Sequence, residues 1–323
     1  MMPPEELPSA EVGEIGAAAP AEVSRATARS YLPQAALAGA VIVLSFSPFF
    51  IRWAQAPGPV VATYRLLIAA LVLTPAVIHR ARRGLLPPLA AWRPALVGGV
   101  FTALDLGTWA SSIQHTSVAN ATLLGNISPL WVVLFAVLVW KELIDRRFVI
   151  GVVVVLLGAF AVLGDTLSLR PDHLLGDVLA LVSSVAYAGY FLATERGRAR
   201  LDTVSLLWAI SLVAGILLLI FCPAAGMPLL GYTPHTYLIF LLTALVSQLG
   251  GYLFMTYALG SLPASLVTPT MVASPVITSL LAIPLAGEGL SLPQVVGAVC
   301  VLGGVYLVNT SRRKAATPSA FTP

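Results

Sequence analysis

Asp105 is a carboxylate in the middle of an apolar run, residues 94–114. On insertion scales a charged side chain at the centre of a membrane helix costs about 2.5–3.5 kcal/mol, so it needs a partner or a wet cavity. Arg65, inside the run 58–79, is the cation within reach. Rises of 1.5 Å per residue put Asp105 roughly 16 Å deep and Arg65 roughly 10 Å below one boundary. Three chemistries fit this pair. It is a permanent ion pair, or Asp105 is a protonatable coupling site, or Asp105 anchors the amine of a small molecule.

Other polar residues recur at i, i+3/i+4 and i+7, the spacing of one helix face. Asp105 shares a face with Trp109 and Ser112. Further faces carry Thr122, Asn126 and Pro129; Ser183, Tyr187 and Tyr190; Gln248, Tyr252 and Met255; and Thr268 and Pro275, with Ser274 close by. Ser45 and Ser47 add hydroxyls to the first run. Polar groups facing hydrocarbon are costly, so these faces turn inward. Each has a plainer use: a Ser or Thr hydroxyl bonds its own i−4 carbonyl or a neighbouring helix, and aromatic rings fill space. Pro129 and Pro275 lack a backbone donor and kink their helices.

The elements that position these residues follow from composition. Of 323 residues, 58% are hydrophobic and 10% charged. Soluble domains run at roughly 25% charged, and a polar skin cannot be built from so few. A soluble enzyme is excluded. Ten apolar runs of about 18–24 residues, the length that crosses a bilayer, lie at 34–53, 58–79, 94–114, 117–139, 147–164, 175–194, 203–222, 237–259, 263–286 and 292–310. Runs this long and continuous are helices and not barrel strands. The expected fold is all-α, a polytopic membrane protein of ten helices.

The charges set an orientation. Arg25, Arg29, Arg80, Arg82, Arg83, Arg93, Lys141, Arg146, Arg147, Arg196, Arg198, Arg200, Arg312, Arg313 and Lys314 fall on one side, and only Arg52 and Arg170 on the other. Loops rich in Lys and Arg stay in the cytoplasm. Both termini are therefore expected there, in a bacterial inner membrane. The first 32 residues, with no apolar run and no basic start, read as a disordered cytoplasmic tail and not a signal peptide; 311–323 form a second tail.

Sliding the chain by 146 positions lays 117–162 over 263–308. Thr122 meets Thr268, Ser128 meets Ser274, Pro129 meets Pro275, Glu142 meets Glu288, Gly151 meets Gly297 and Gly158 meets Gly304. A Pro, a Glu and two Gly in register mark a duplication of five helices, 33–165 and 175–310. Five is odd, so the second copy enters the membrane inverted, the plan of many carriers with midplane sites. Glu142 and Glu288, at helix ends, read as caps, locks or gates. The glycines, seven apart, share a face and permit close packing.

The segment SVANATLLGNISPLWVVLFAVLVWKE from Ser117 resembles the fourth helix of the EamA-type transporters of the drug/metabolite transporter superfamily. PASLVTPTMVASPVITSLLAIPLAGE from Pro263 resembles their ninth helix, and Tyr64-Arg65 and Gly176-Asp177 are similar to the same pattern. The resemblance covers about 35–310, with Lys141 where a glycine is usual. It implies a 5+5 inverted repeat around a central cavity and movement of small metabolites by alternating access.

Competing classes are weak. There is no H-E-x-x-H or G-x-S-x-G, and His79, His115, His173 and His235 lie at or beyond helix ends. Cys222 and Cys300 show no metal or redox spacing and read as packing residues. No metal, cofactor or nucleic-acid partner is expected, and oligomeric state has no signature. A channel would need a charged ring or filter loop, and neither is present. The expected function is a permease for a small organic substrate, an amino acid ahead of a drug-like amphiphile, exported and with proton coupling open. The few midplane cations argue against phosphorylated substrates.

Overall fold

A computed structural model describes residues 20–112, 115–116, 121, 124–141, 144–163, 173–286 and 291–311. The chain divides into two units, Met1–Leu32 and Pro33–Pro323. In the first, residues 20–32 are helical; the second carries everything considered below.

All regular structure among the described residues is helical, as a chain without water to satisfy its backbone requires. The helices are α1 (Pro20–Leu44), α2 (Ser47–Ala54), α3 (Gly58–Arg82), α4 (Arg93–Ser112), α5 (Ser128–Leu138), α6 (Arg146–Leu163) and α7 (Leu174–Arg198). Then come α8 (Thr203–Ala224), α9 (Pro234–Thr243), a π-helical stretch (Ala244–Tyr252), α10 (Leu253–Ala258), α11 (Ala264–Met271), α12 (Ala273–Ala286) and α13 (Leu292–Thr310). Among the described residues eight helical segments are long and apolar enough to cross a membrane: Tyr31–Ala54, Gly58–Arg82, Leu89–Ser112, Leu174–Arg198, Thr203–Ala224, Pro234–Ala258, Ala264–Leu285 and Leu292–Thr310. The protein is a multi-pass membrane protein. Of the two remaining expected spans, 147–164 is represented by α6, 18 residues long, and 117–139 by α5, only 11.

The two prolines expected to bend continuous helices do something different. The chain turns at Asn126–Ile127, and α5 restarts with Pro129 in its first turn. The second span turns at Val272, and α12 restarts with Pro275 as its third residue. A proline in a first turn has no N–H to leave orphaned, so it starts a half-helix more readily than it bends a whole one. Position 126 plus the offset of 146 is 272. The first span is also interrupted, at Ser45–Phe46, with Pro48 in the first turn of α2.

Close packing uses small residues. Helices α6 and α13 touch backbone to backbone at Gly151, Gly158, Gly297 and Gly304. Gly251, in the π-helical stretch, lets Leu44 of α1 approach so closely that a Cβ there would sit 2.5 Å from the leucine. At the end of the bundle that carries most of the arginines, Arg80 pairs with Asp202 at 3.1 Å. There Arg198 donates to the carbonyls of Leu201 and Thr256, and Glu195 accepts from the Ala264 amide at 3.0 Å, holding α7 against the start of α11.

Candidate functional site

The polar stripe of α7 runs Ser183, Tyr187, Tyr190, Thr194 at helical spacing and faces α4 and the π-helical stretch. Ser183 Oγ donates to Asp105 Oδ1 at 2.6 Å. Asp105 Oδ2 accepts no hydrogen bond among the described residues. Tyr187 and Tyr190 lie parallel, ring centroids 6.0 Å apart, and Tyr252 meets Tyr190 edge-on at 6.1 Å. The Arg65 guanidinium stands 5.3 Å from the Tyr252 ring centroid, within the range of a cation–π contact.

Arg65 is 5% exposed and its Nε has no hydrogen-bond partner among the described residues. Among the described residues it makes no ion pair, and in particular it is not bonded to Asp105. The two side chains are thus not in direct contact in this structure. Asp105 takes the nearer hydroxyl of Ser183, while Arg65 lies over the aromatic face. The charge of Arg65 still reaches Asp105, Tyr187, Tyr190 and Tyr252, so the five form one electrostatic unit. Neither Arg65 nor Asp105 is in ion-pair contact with another described residue.

The neighbouring half of Arg65 is fixed from outside the unit. Tyr64 donates to the Leu229 carbonyl at 2.8 Å and stacks on Phe240 at 4.5 Å, which holds the rotation of α3 and so aims Arg65 away from that cluster. Tyr252 closes the π-helical stretch, whose wider turn shifts the register of one helix face; such stretches recur at functional sites. Nothing in the apolar pattern of 237–259 announces it.

The remaining expected residues divide. Trp109 is half-buried, one helical turn from Asp105, with its ring against Gly125; Asn126 is half-buried at the break of its span. Ser112 is fully buried and bonds the Trp109 carbonyl. Gln248 is buried and donates to Ser211 of α8 at 3.1 Å. Thr268 bonds its own i−4 carbonyl, of Ala264, at 2.8 Å. Ser274 meets Ser45 at 3.1 Å. Ser112, Thr268 and Ser274 are engaged in packing, whereas Gln248 keeps a buried Oε1 without a hydrogen-bond partner among the described residues. Thr122, Glu142 and Glu288 lie outside the described residues.

Two hydroxyls missing from the expected set belong beside the unit: Thr194 Oγ1 and Thr256 Oγ1 lie close to Tyr190 Oη, and all three are buried. Thr194 continues the stripe of α7 at i+4 from Tyr190, and Thr256 stands at i+4 from Tyr252, so the periodicity that found the tyrosines would have found them. Trp131 Nε1 donates to Ser184 at 2.8 Å, tying α5 to α7. Among the described residues no group of three or more His, Cys, Asp or Glu could hold a metal ion.

Residues 34–164 and 174–310 each match the model of the EamA-like transporter family. An uncharacterized transporter of Clostridium kluyveri is 22% identical over 227 residues, 68% of this chain and 73% of that protein. The uncharacterized transporter YcbK of Bacillus subtilis is 27% identical, covering 61% of this chain and 64% of its own length. The pseudopaline exporter CntI of Pseudomonas aeruginosa is 29% identical, over 70% of this chain and 60% of its own. For the last two the match spans under two thirds of the relative. A crystal structure 18% identical in sequence superposes with a TM-score of 0.72, covering 85% of this chain and 96% of that one, and so shares the fold.

Proposed function

Since the chain belongs to the EamA-like transporter family, we propose that this membrane transporter is a secondary carrier exporting a small zwitterionic metabolite, an amino acid, by alternating access. The observation that carries the reading is the pair Arg65 and Asp105, of opposite charge type and each without an ion-pair partner among the described residues, in one unit with Tyr187, Tyr190 and Tyr252. An unpaired buried charge is costly, and a ligand carrying both a carboxylate and an ammonium relieves both sites at once. The carboxylate goes to the guanidinium, whose fork suits it, and the ammonium to Asp105 Oδ2 and the ring faces.

The carrier is proposed to have ten helices as a 5+5 inverted repeat, 33–165 and 175–310, in the inner membrane with both termini cytoplasmic. The two family matches, the breaks at 126 and 272 and the reciprocal glycine contacts support that plan. In such carriers discontinuous helices flank the substrate, and Asn126 and Trp109 stand by one break. Asp105 is the proposed site of any proton coupling. The aromatic unit also favours a second reading, an exporter of cationic amphiphiles.

Counterflow in proteoliposomes tests these readings with a charge-trimmed series: an amino acid, its decarboxylated amine and its deaminated acid as competitors. The amino acid is expected to compete best, with each trimmed analogue weaker by at least tenfold. Equal competition by the amine and by cationic dyes would favour the amphiphile reading, and unsaturable flux would end the carrier reading altogether.

A further inference from the structure

A cleft of about 880 Å³ opens between α4, α5 and α7, on the side of α7 facing away from the charged unit. Its α7 lining is Val185, Ala188, Gly189, Leu192 and Arg196, whereas the unit uses Ser183, Tyr187 and Tyr190. At about 100° per residue the two sets fall on opposite faces of the helix. The wall is apolar and open: Val97, Leu134 and Val185 are each nearly half exposed. At one end stand Arg93, Arg196 and Arg200. No acidic side chain lines the cleft, and none of the three arginines is in an ion pair among the described residues. The Arg196 guanidinium lies 5.1 Å from the centre of the Trp140 ring, which holds it at the mouth.

We propose that this cleft is a binding site for one anionic phospholipid of the leaflet on the arginine side. Three guanidiniums at the mouth complement a phosphodiester and its charged headgroup, which arginine engages with paired hydrogen bonds. The wall from Val185 to Arg196 rises roughly 16 Å along α7, about half of a ~30 Å hydrocarbon core and so the depth of one leaflet. Basic pockets between membrane helices at the anionic face are where such headgroups bind, and tryptophan is at home at that depth. A substrate vestibule fits less well. Apart from the arginines and the indoles of Trp131 and Trp140 the lining offers no polar side chain, and a zwitterion passing along it would leave its charges unsolvated. The proposal is independent of the substrate assigned to the carrier.

The test uses the full-length protein delipidated in detergent. Thermal unfolding and native mass spectrometry are followed on titration with phosphatidylglycerol, with phosphatidylcholine of the same chains, and with soluble glycerol phosphate. Phosphatidylglycerol is expected to be retained at one per protein and to raise the Tm, at concentrations at least tenfold below those phosphatidylcholine needs. Glycerol phosphate is expected to do nothing. The triple variant Arg93→Gln, Arg196→Gln, Arg200→Gln should lose that preference, and Leu134→Trp, which fills the cleft with the arginines intact, should lose retention. If the triple variant does not fold, Leu134→Trp decides alone. Equal effects of the two lipids, retention undiminished in Leu134→Trp, or an equal response to glycerol phosphate would overturn the proposal. So would protection of a Leu134→Cys thiol by transported amino acid and not by phosphatidylglycerol, which would make the cleft a substrate vestibule.

Discussion

Gly158 of α6 and Gly297 of α13 face each other with no room between them: a Cβ on Gly158 would lie 2.8 Å from the Gly297 carbonyl oxygen, and one on Gly297 2.6 Å from that of Gly158. Gly151 and Gly304 repeat the relation at 3.0 and 2.8 Å. Adding 146 to the pair 151/304 along one strand of the contact, and subtracting it along the other, gives 297/158. The two contacts thus exchange under the sequence offset, as they would about a two-fold axis running between α6 and α13.

Gly158→Ala should therefore lower thermal stability in detergent, by about 1–3 kcal/mol, the range of overpacked cores. Gly303→Ala, one residue from Gly304 but with nothing within 4 Å of its added methyl, should match or exceed the wild type, because alanine favours helix. Equal melting of the two variants would show that the helices do not meet at these glycines.

Asp105→Asn should fold, since the amide oxygen still accepts the Ser183 hydroxyl and Arg65 loses no ion pair. Net transport should fall at least tenfold. If Asp105 carries the coupled proton, counterflow persists while gradient-driven accumulation is lost; if it holds the ammonium, both fail. Full gradient-driven transport in a folded Asp105→Asn protein would remove the residue from the mechanism.

Tyr252 should be judged by its face and not its hydroxyl. Tyr252→Phe keeps the ring over which Arg65 sits, and its apparent KM should stay within about threefold of wild type. Tyr252→Leu removes a cation–π contact of about 0.5–2 kcal/mol, and frees the guanidinium to move, so its apparent KM should rise roughly threefold to thirtyfold. Identical kinetics for the two variants would argue against an aromatic cage.

Asp202 caps α8, accepting from the amides of Val204 and Ser205 at 3.0 and 3.1 Å, and pairs with Arg80. Burial raises its carboxyl pKa, but the Ser205 hydroxyl and amide, the Arg80 charge and the Val204 amide together hold it below its ordinary value. A depressed pKa means stabilisation that is complete above the unfolded value, near 3.9, and is lost as pH falls through the folded one. Asp202→Asn retains a good cap and isolates the charge. Its Tm deficit at pH 7 should shrink toward zero below about pH 4; a deficit constant with pH would assign the effect to the cap.

Orientation is checked with three reporters. Fusions after Lys314 and in the loop around Arg200 should report cytoplasm, and one near Thr233 the outside. Any mismatch would break the even-numbered, cytoplasmic-termini plan.

How much of this was legible from residues alone depended on whether a feature is one-dimensional. Apolar length is: a segment such as Gly58–Arg82 or Thr203–Ala224 must be a membrane helix whatever surrounds it, because lipid leaves the backbone no other partner. So is a charge out of place, which is why Asp105 and Arg65 stood out, and so is the 146-residue offset. The stripes of α7 and of the π-helical stretch were visible as periodicity. What they touch was not. Whether Asp105 bonds Arg65 or Ser183, 78 positions away, depends on how far each helix is rotated about its own axis, and packing against every neighbour sets that rotation. The same holds for Gln248, whose amide nitrogen donates to Ser211, and for Tyr252, turned toward Arg65 by a π-helical stretch that hydropathy does not register. The prolines marked the breaks at 126 and 272, but only the folded chain decided that each begins a half-helix. The basic cleft is wholly tertiary: Arg93 opens α4 and Arg200 lies in the turn after α7, far apart in the chain, and they share a mouth because α4 and α7 pack side by side.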